Sequence, residues 1–122
     1  MIRFRILLLV LIFASLVVFG TLALGQQKFS FSIATGGTGG VWYPLGGAIG
    51  GIIGKKVPNT DATSEATTAA IDNLKLLAAG RVGMAFAYDY HVVWANEGKI
   101  EALRKKFPMR VVMGFYEQPF QA

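Results

Sequence analysis

Phe29-Ser-Phe-Ser-Ile-Ala-Thr-Gly-Gly-Thr-Gly-Gly-Val-Trp-Tyr-Pro-Leu-Gly-Gly47 decides the fold class. Phe29 to Thr35 alternates apolar and polar side chains, the period of a half-buried strand. Gly36 to Gly40 then breaks the strand with a glycine loop. Residues 42–55 follow as a helix, with Leu45, Ala48, Ile49, Ile52 and Ile53 on its apolar stripe. Pro44 suits the first turn, where a missing N–H costs nothing. Gly46, Gly47, Gly50, Gly51 and Gly54 disfavour this helix by about 1 kcal/mol each against alanine. A helix so composed has a packing reason, and close approach of its backbone to a sheet supplies one. The four-residue spacing of Gly46, Gly50 and Gly54 resembles a membrane contact motif, but the apolar stretch from Val41 to Ile53 is too short to span a bilayer and Lys55-Lys56 end it.

Working outward, Val57-Pro58-Asn59 predicts a turn and Asp61 to Ser64 a short strand. Thr67 or Thr68 can cap the next helix, whose stripe is Ile71, Leu74, Leu77 and Ala78, with Gly80 as its terminal glycine. Val82 to Ala87 has the length of a buried strand. Asp89 to Asn96 predicts a helix ending at Gly98, with Asp89 as its cap. Lys99 to Lys106 predicts a more charged helix, in which Glu101 and Lys105 are spaced to pair, and Arg110 to Phe115 a further strand. Strands alternating with helices indicate an α/β layer with a largely parallel sheet.

Toward the N-terminus, Arg3 and Arg5 precede an uncharged apolar run from Ile6 to Phe19, followed by Ala23-Leu24-Gly25. This is the pattern of a secretory signal peptide over residues 1–25, leaving 26–122 as the exported chain. The other reading is an uncleaved membrane anchor over residues 6–24. The absence of cysteine excludes a lipoprotein signal and a disulfide framework. Loss of Arg3 and Arg5 lowers the net charge from +5 to +3, so the basic balance is no argument for nucleic acid. Arg104-Lys105-Lys106 and Arg110 read as a solvated helix face.

The glycine loop lies where a strand gives way to a helix, a place where free N–H groups and the helix dipole favour an anionic guest. Known phosphate motifs fail on spacing. From Gly37 and Gly39 the third glycine of a dinucleotide fingerprint falls on Trp42, and Gly50 to Lys55 is one residue short of a Walker loop. His91 is the only histidine, which leaves no zinc set and no evident nucleophile–base pair. A binding protein without catalysis or cofactor is expected. The alternatives are a small anion- or nucleotide-binding α/β domain, or a membrane-anchored interaction protein.

Thr35-Gly-Gly-Thr-Gly-Gly-Val-Trp-Tyr-Pro-Leu-Gly-Gly resembles the N-terminal motif of the TAXI family, the extracytoplasmic solute-binding subunits of TRAP transporters. Glu65-Ala-Thr-Thr-Ala-Ala-Ile-Asp-Asn-Leu-Lys-Leu-Leu-Ala-Ala-Gly80 is similar to a second family segment, and Val82-Gly-Met-Ala-Phe-Ala to the strand after it. The resemblance implies a periplasmic-binding-protein-like (type II) fold, here incomplete, with 26–122 forming the N-terminal part of lobe 1. It implies capture of a small anionic solute, such as glutamate or a dicarboxylate, and delivery to TRAP membrane permease subunits from the periplasm or its extracytoplasmic equivalent. It further implies ligand contacts from Thr38, Gly39, Gly40, Trp42, Tyr43, Thr67, Thr68, Tyr88 and Asp89. Ala70 stands where the family often has serine, Trp42 where tyrosine is common, and Thr68-Ala69 where the family has glycine nearby.

Overall fold

The computed structural model describes residues 27–103 and 105–117. The expected signal peptide, the alternative anchor over 6–24 and Arg104 lie outside them. The elements are β1 (Phe29–Ala34), α1 (Trp42–Lys56), β2 (Thr60–Glu65), α2 (Ile71–Ala78), β3 (Met84–Ala85) and α3 (Asp89–Glu97), followed by a 3₁₀ turn at Glu101–Leu103. Three strands form a parallel sheet in the order β2-β1-β3. The α/β architecture with a parallel sheet is the one that strand–helix alternation requires, because parallel neighbours need a crossover between them. It is consistent with a partial periplasmic-binding-like fold.

Ile33 and Ala62 on the sheet and Phe86 just beyond β3 form the first core, against which Leu45, Ile49 and Ile53 of α1 pack. The expected stripe of α1 holds for Leu45, Ile49 and Ile53 but not for its Ala48–Ile52 side. Ala48 is exposed and Ile52 is 61% exposed, whereas Gly46 and Gly50 are buried. The sheet-facing line of α1 is thus a glycine line. A β-carbon at Gly50 would run into the Ala62 carbonyl of β2, and one at Gly46 into the Thr35 methyl. Leu74 of α2, Ala95 of α3 and Ile100 form a second core, with Ile71, Leu103 and Met109 against it.

Gly80 ends α2 in the left-handed region at φ 68°. Its amide donates to the Leu77 carbonyl and that of Arg81 to the Leu76 carbonyl, the paired bonds of a Schellman stop. Gly98, at φ 78°, closes α3 in the same way.

Other expectations are corrected. Ala70, not Thr67 or Thr68, precedes α2, and Tyr88, not Asp89, precedes α3. The strand expected over 82–87 is shorter, paired at Met84 and Ala85 with the Gly83 and Phe86 amides bonded to the Ser32 and Ala34 carbonyls at its two ends; beyond it the Phe86 carbonyl accepts from the Asn73 side chain. The helix expected over 99–106 is a single 3₁₀ turn. There the Phe107 amide returns to the Ala95 carbonyl at 3.0 Å and the Met109 amide to Asn96 Oδ1 at 2.9 Å, which folds the chain back on the end of α3. The ion pair in this stretch joins Lys99 to Glu97 at 2.6 Å. Residues 110–115 join no ladder among the described residues. Val111, Val112 and Met113 are exposed there, and a two-residue β3 offers little edge to extend.

Candidate functional site

Parallel strands bring their carboxyl ends to one side of a sheet, where open α/β folds bind their ligands. Here an amide network ties those ends together. Thr35, fully buried just past β1, donates from its hydroxyl to the Glu65 carbonyl at 2.8 Å. Asn73 of α2, also fully buried, donates from Nδ2 to the Thr35 carbonyl at 2.6 Å and to the Phe86 carbonyl at 2.8 Å. Its Oδ1 accepts from the Thr67 hydroxyl at 2.5 Å, and that hydroxyl accepts from the Ala69 amide at 3.0 Å. One side chain therefore fixes the end of β1, the end of β3 and the loop before α2. A buried amide is tolerated only when bonded in this way. Sequence reading assigned Asn73 no role. The signal was its place four residues before Leu77, on the apolar side of α2.

Above this network lies an open hollow of about 220 Å³. Its floor is bare backbone from Gly36, Gly37 and Gly40, with Val41 and Ala69 beside them. Its walls are the rings of Trp42, Tyr88 and Tyr116. Trp42 and Tyr88 meet at a centroid distance of 5.2 Å, tilted by 57°. Phe86 backs Trp42 at 5.7 Å, and Phe115 stacks on Phe86 at 5.2 Å. The Trp42 indole N–H donates to the Tyr116 hydroxyl at 3.0 Å.

The first turn of α1 opens beside this hollow. It carries no side-chain cap and no acidic residue. The amides of Val41 and Trp42 donate to no acceptor among the described residues. Anchorage comes from the side: Ser64 of β2 donates to the Tyr43 carbonyl at 2.9 Å. The arrangement presents positive backbone dipole between aromatic walls, with no charged side chain among the lining residues. It suits a small guest with an acceptor or anionic group.

Of the residues singled out in the sequence, Gly40, Trp42 and Tyr88 come together on the hollow. Thr38 and Gly39 are exposed at the loop tip and do not line it, nor does the half-buried Tyr43. Thr67 lies in the network beneath Ala69. Thr68 is spent on the Asp72 carboxylate. Asp89 is exposed, and its carboxylate accepts from the Tyr90 amide at 2.7 Å. Sequence reading missed Gly36, Gly37, Val41, Ala69 and Tyr116 as lining residues. Tyr116 had no local signal, since it lies 74 residues from its partner Trp42.

Ala69 and Ala70 adopt φ 74° and 32°, left-handed values that cost a side-chain-bearing residue about 1–2 kcal/mol. Glycine is the residue that would take these values without strain. Bonds from Lys75 and Thr68 hold the Asp72 carboxyl below its usual range. On α3, His91 is buried against Tyr88, Tyr90 and Trp94, and its Nδ1 has no partner among the described residues. Desolvation lowers its pKa. Among the described residues no group of His, Asp and Glu side chains is placed to hold a metal ion, and no helix is long and apolar enough to cross a membrane.

A profile of the NMT1-like family matches residues 33–122, which take in the glycine loop, α1, the Asn73 network and every wall of the hollow. The chain belongs to the NMT1-like family, a periplasmic-binding-like family whose members are solute-binding proteins.

Proposed function

We propose that this chain acts in a TRAP-type uptake system as a TAXI-like solute-binding subunit, or as the N-terminal part of one. It captures a small anionic solute, such as glutamate or a dicarboxylate, and passes it to the membrane permease subunits. Residues 1–25 would direct export, and the mature chain would work outside the cytoplasmic membrane without catalysing a reaction. The observation that carries this reading is the uncapped first turn of α1, which opens beside a hollow at the carboxyl ends of the strands. The TAXI-like motif from Thr35 to Gly47 supports the transporter class, and the match to a solute-binding family supports binding as the activity. A hollow of about 220 Å³ lies below the usual range of roughly 300–1,000 Å³ for drug-sized ligands, which favours a metabolite of a few heavy atoms.

Calorimetry of the mature chain with L-glutamate, succinate and a neutral hexose tests the reading. Heat with the anions that fades on Trp42→Ala is expected. Heat with the hexose alone would remove the anionic-solute assignment. Mass spectrometry of the exported product tests the leader: a start at Gln26 is expected, and a retained Met1 would favour the anchored form.

A further inference from the structure

Building on the reading of this hollow as the solute site, we infer that Tyr116 is a ligand-binding residue and that its hydroxyl is the donor the tryptophan wall cannot supply. An indole has one donor and no acceptor. Trp42 spends that donor on the Tyr116 hydroxyl at 3.0 Å. Toward a guest, Trp42 therefore offers only its ring face. A phenol both accepts and donates. The Tyr116 oxygen accepts from Trp42, and its own proton has no acceptor among the described residues. Tyr116 lines the hollow and is 49% exposed, so that proton is accessible to a solute.

The bond also works in the other direction. Tyr116 belongs to a segment that joins no strand ladder and is held by side chains: Phe115 on Phe86 at 5.2 Å and Tyr116 on Trp42. A solute that accepts from Tyr116 polarises the hydroxyl and strengthens its hold on the indole. A bound acceptor and the Trp42–Tyr116 bond thereby reinforce each other. The solute must present an acceptor oxygen at the Tyr116 side, in addition to the group that meets the start of α1.

The test uses the full mature chain and Tyr116→Phe, which keeps the ring and removes the hydroxyl. The chain has two tryptophans, so a ¹H–¹⁵N spectrum shows two indole cross-peaks, with Trp94→Phe assigning the one from Trp42. An upfield move and faster hydrogen exchange of the Trp42 indole in Tyr116→Phe are expected, with the backbone spectrum otherwise kept. In titrations with L-glutamate and with succinate, Tyr116→Phe should bind the responding anion about tenfold more weakly. Wild-type binding with equal affinity in Tyr116→Phe overturns the donor role. An unmoved indole peak overturns the bond to Trp42. A wild-type chain silent to both anions defeats the solute reading, and the donor role with it, while the indole peak still decides the bond separately.

Discussion

Gly50→Ala and Gly51→Ala add the same methyl group to neighbouring positions of one helix, with opposite expected results. Both exchanges raise helix propensity by about 1 kcal/mol. Gly51 faces open space, with nothing within 4 Å of an added β-carbon. That variant should keep the full gain. At Gly50 the added carbon meets the carbonyl oxygen of Ala62, and the Ala62 carbonyl carbon at 3.0 Å. Both belong to β2 backbone locked in register with β1, so neither can rotate away like the end of a flexible side chain. Overpacking against such a neighbour sits at the upper end of the usual range, ~3 kcal/mol. After the propensity gain the variant loses ~2 kcal/mol, and the two variants differ by ~3 kcal/mol. For a domain of this size that separation is roughly 12–24 °C in Tm. Thermal unfolding of the mature chain, followed by far-ultraviolet circular dichroism, measures it. Midpoints within two or three degrees of each other would refute the close approach of α1 to the sheet.

Removing the Asn73 amide by Asn73→Ala strands the buried Phe86 carbonyl, leaves the Thr35 carbonyl only the longer bond from the Thr67 hydroxyl at 3.3 Å, and should cost ~1–3 kcal/mol in urea unfolding; a loss under ~0.5 kcal/mol would mean that the strand ends do not depend on it. Ala69→Gly relieves the left-handed backbone and should raise stability by ~1 kcal/mol, read as a higher urea midpoint at unchanged slope. His91 has a folded pKa below its ordinary 6.5, so the unfolded chain takes the proton first. Its contribution is complete above pH 6.5 and declines as the pH falls from there toward the folded value, so Tm should drop between pH 7.5 and 5.5 and drop less in His91→Phe. The lowered carboxyl of Asp72 titrates below 3.8 and stays outside that window. Thr68→Val should leave any anion affinity unchanged within twofold by calorimetry, because that hydroxyl serves Asp72 and does not line the hollow.

Local patterning made most of the frame legible. Period-two alternation placed β1, glycine stops ended α2 and α3 where written, and the glycine loop marked the end of the sheet where the hollow opens. What stayed hidden depends on distant partners. The glycines of α1 signalled its close approach to a sheet, but not that Gly46 and Gly50 make it while Ala48 and Ile52 of the apolar stripe turn outward. Residues 110–115 carry strand-forming valines, yet strand formation needs an edge to pair with, and β3 is two residues long. Of the hollow, Gly40, Trp42 and Tyr88 were readable, whereas Gly36, Gly37 and Val41 were passed over beside them. Tyr116 was not readable, because its place follows from a contact across nearly the whole described chain.

The central position of β1 in the order β2-β1-β3 has a consequence for synthesis on the ribosome. The middle strand is translated first, and its last flank is supplied only by Met84 and Ala85. Until those codons are read and the peptide has cleared the exit tunnel, Ser32 and Ala34 of the nascent chain carry backbone groups on that side with no partner strand. A holding chaperone would find its target in that interval, and faster decoding between Glu65 and Phe86 would shorten it.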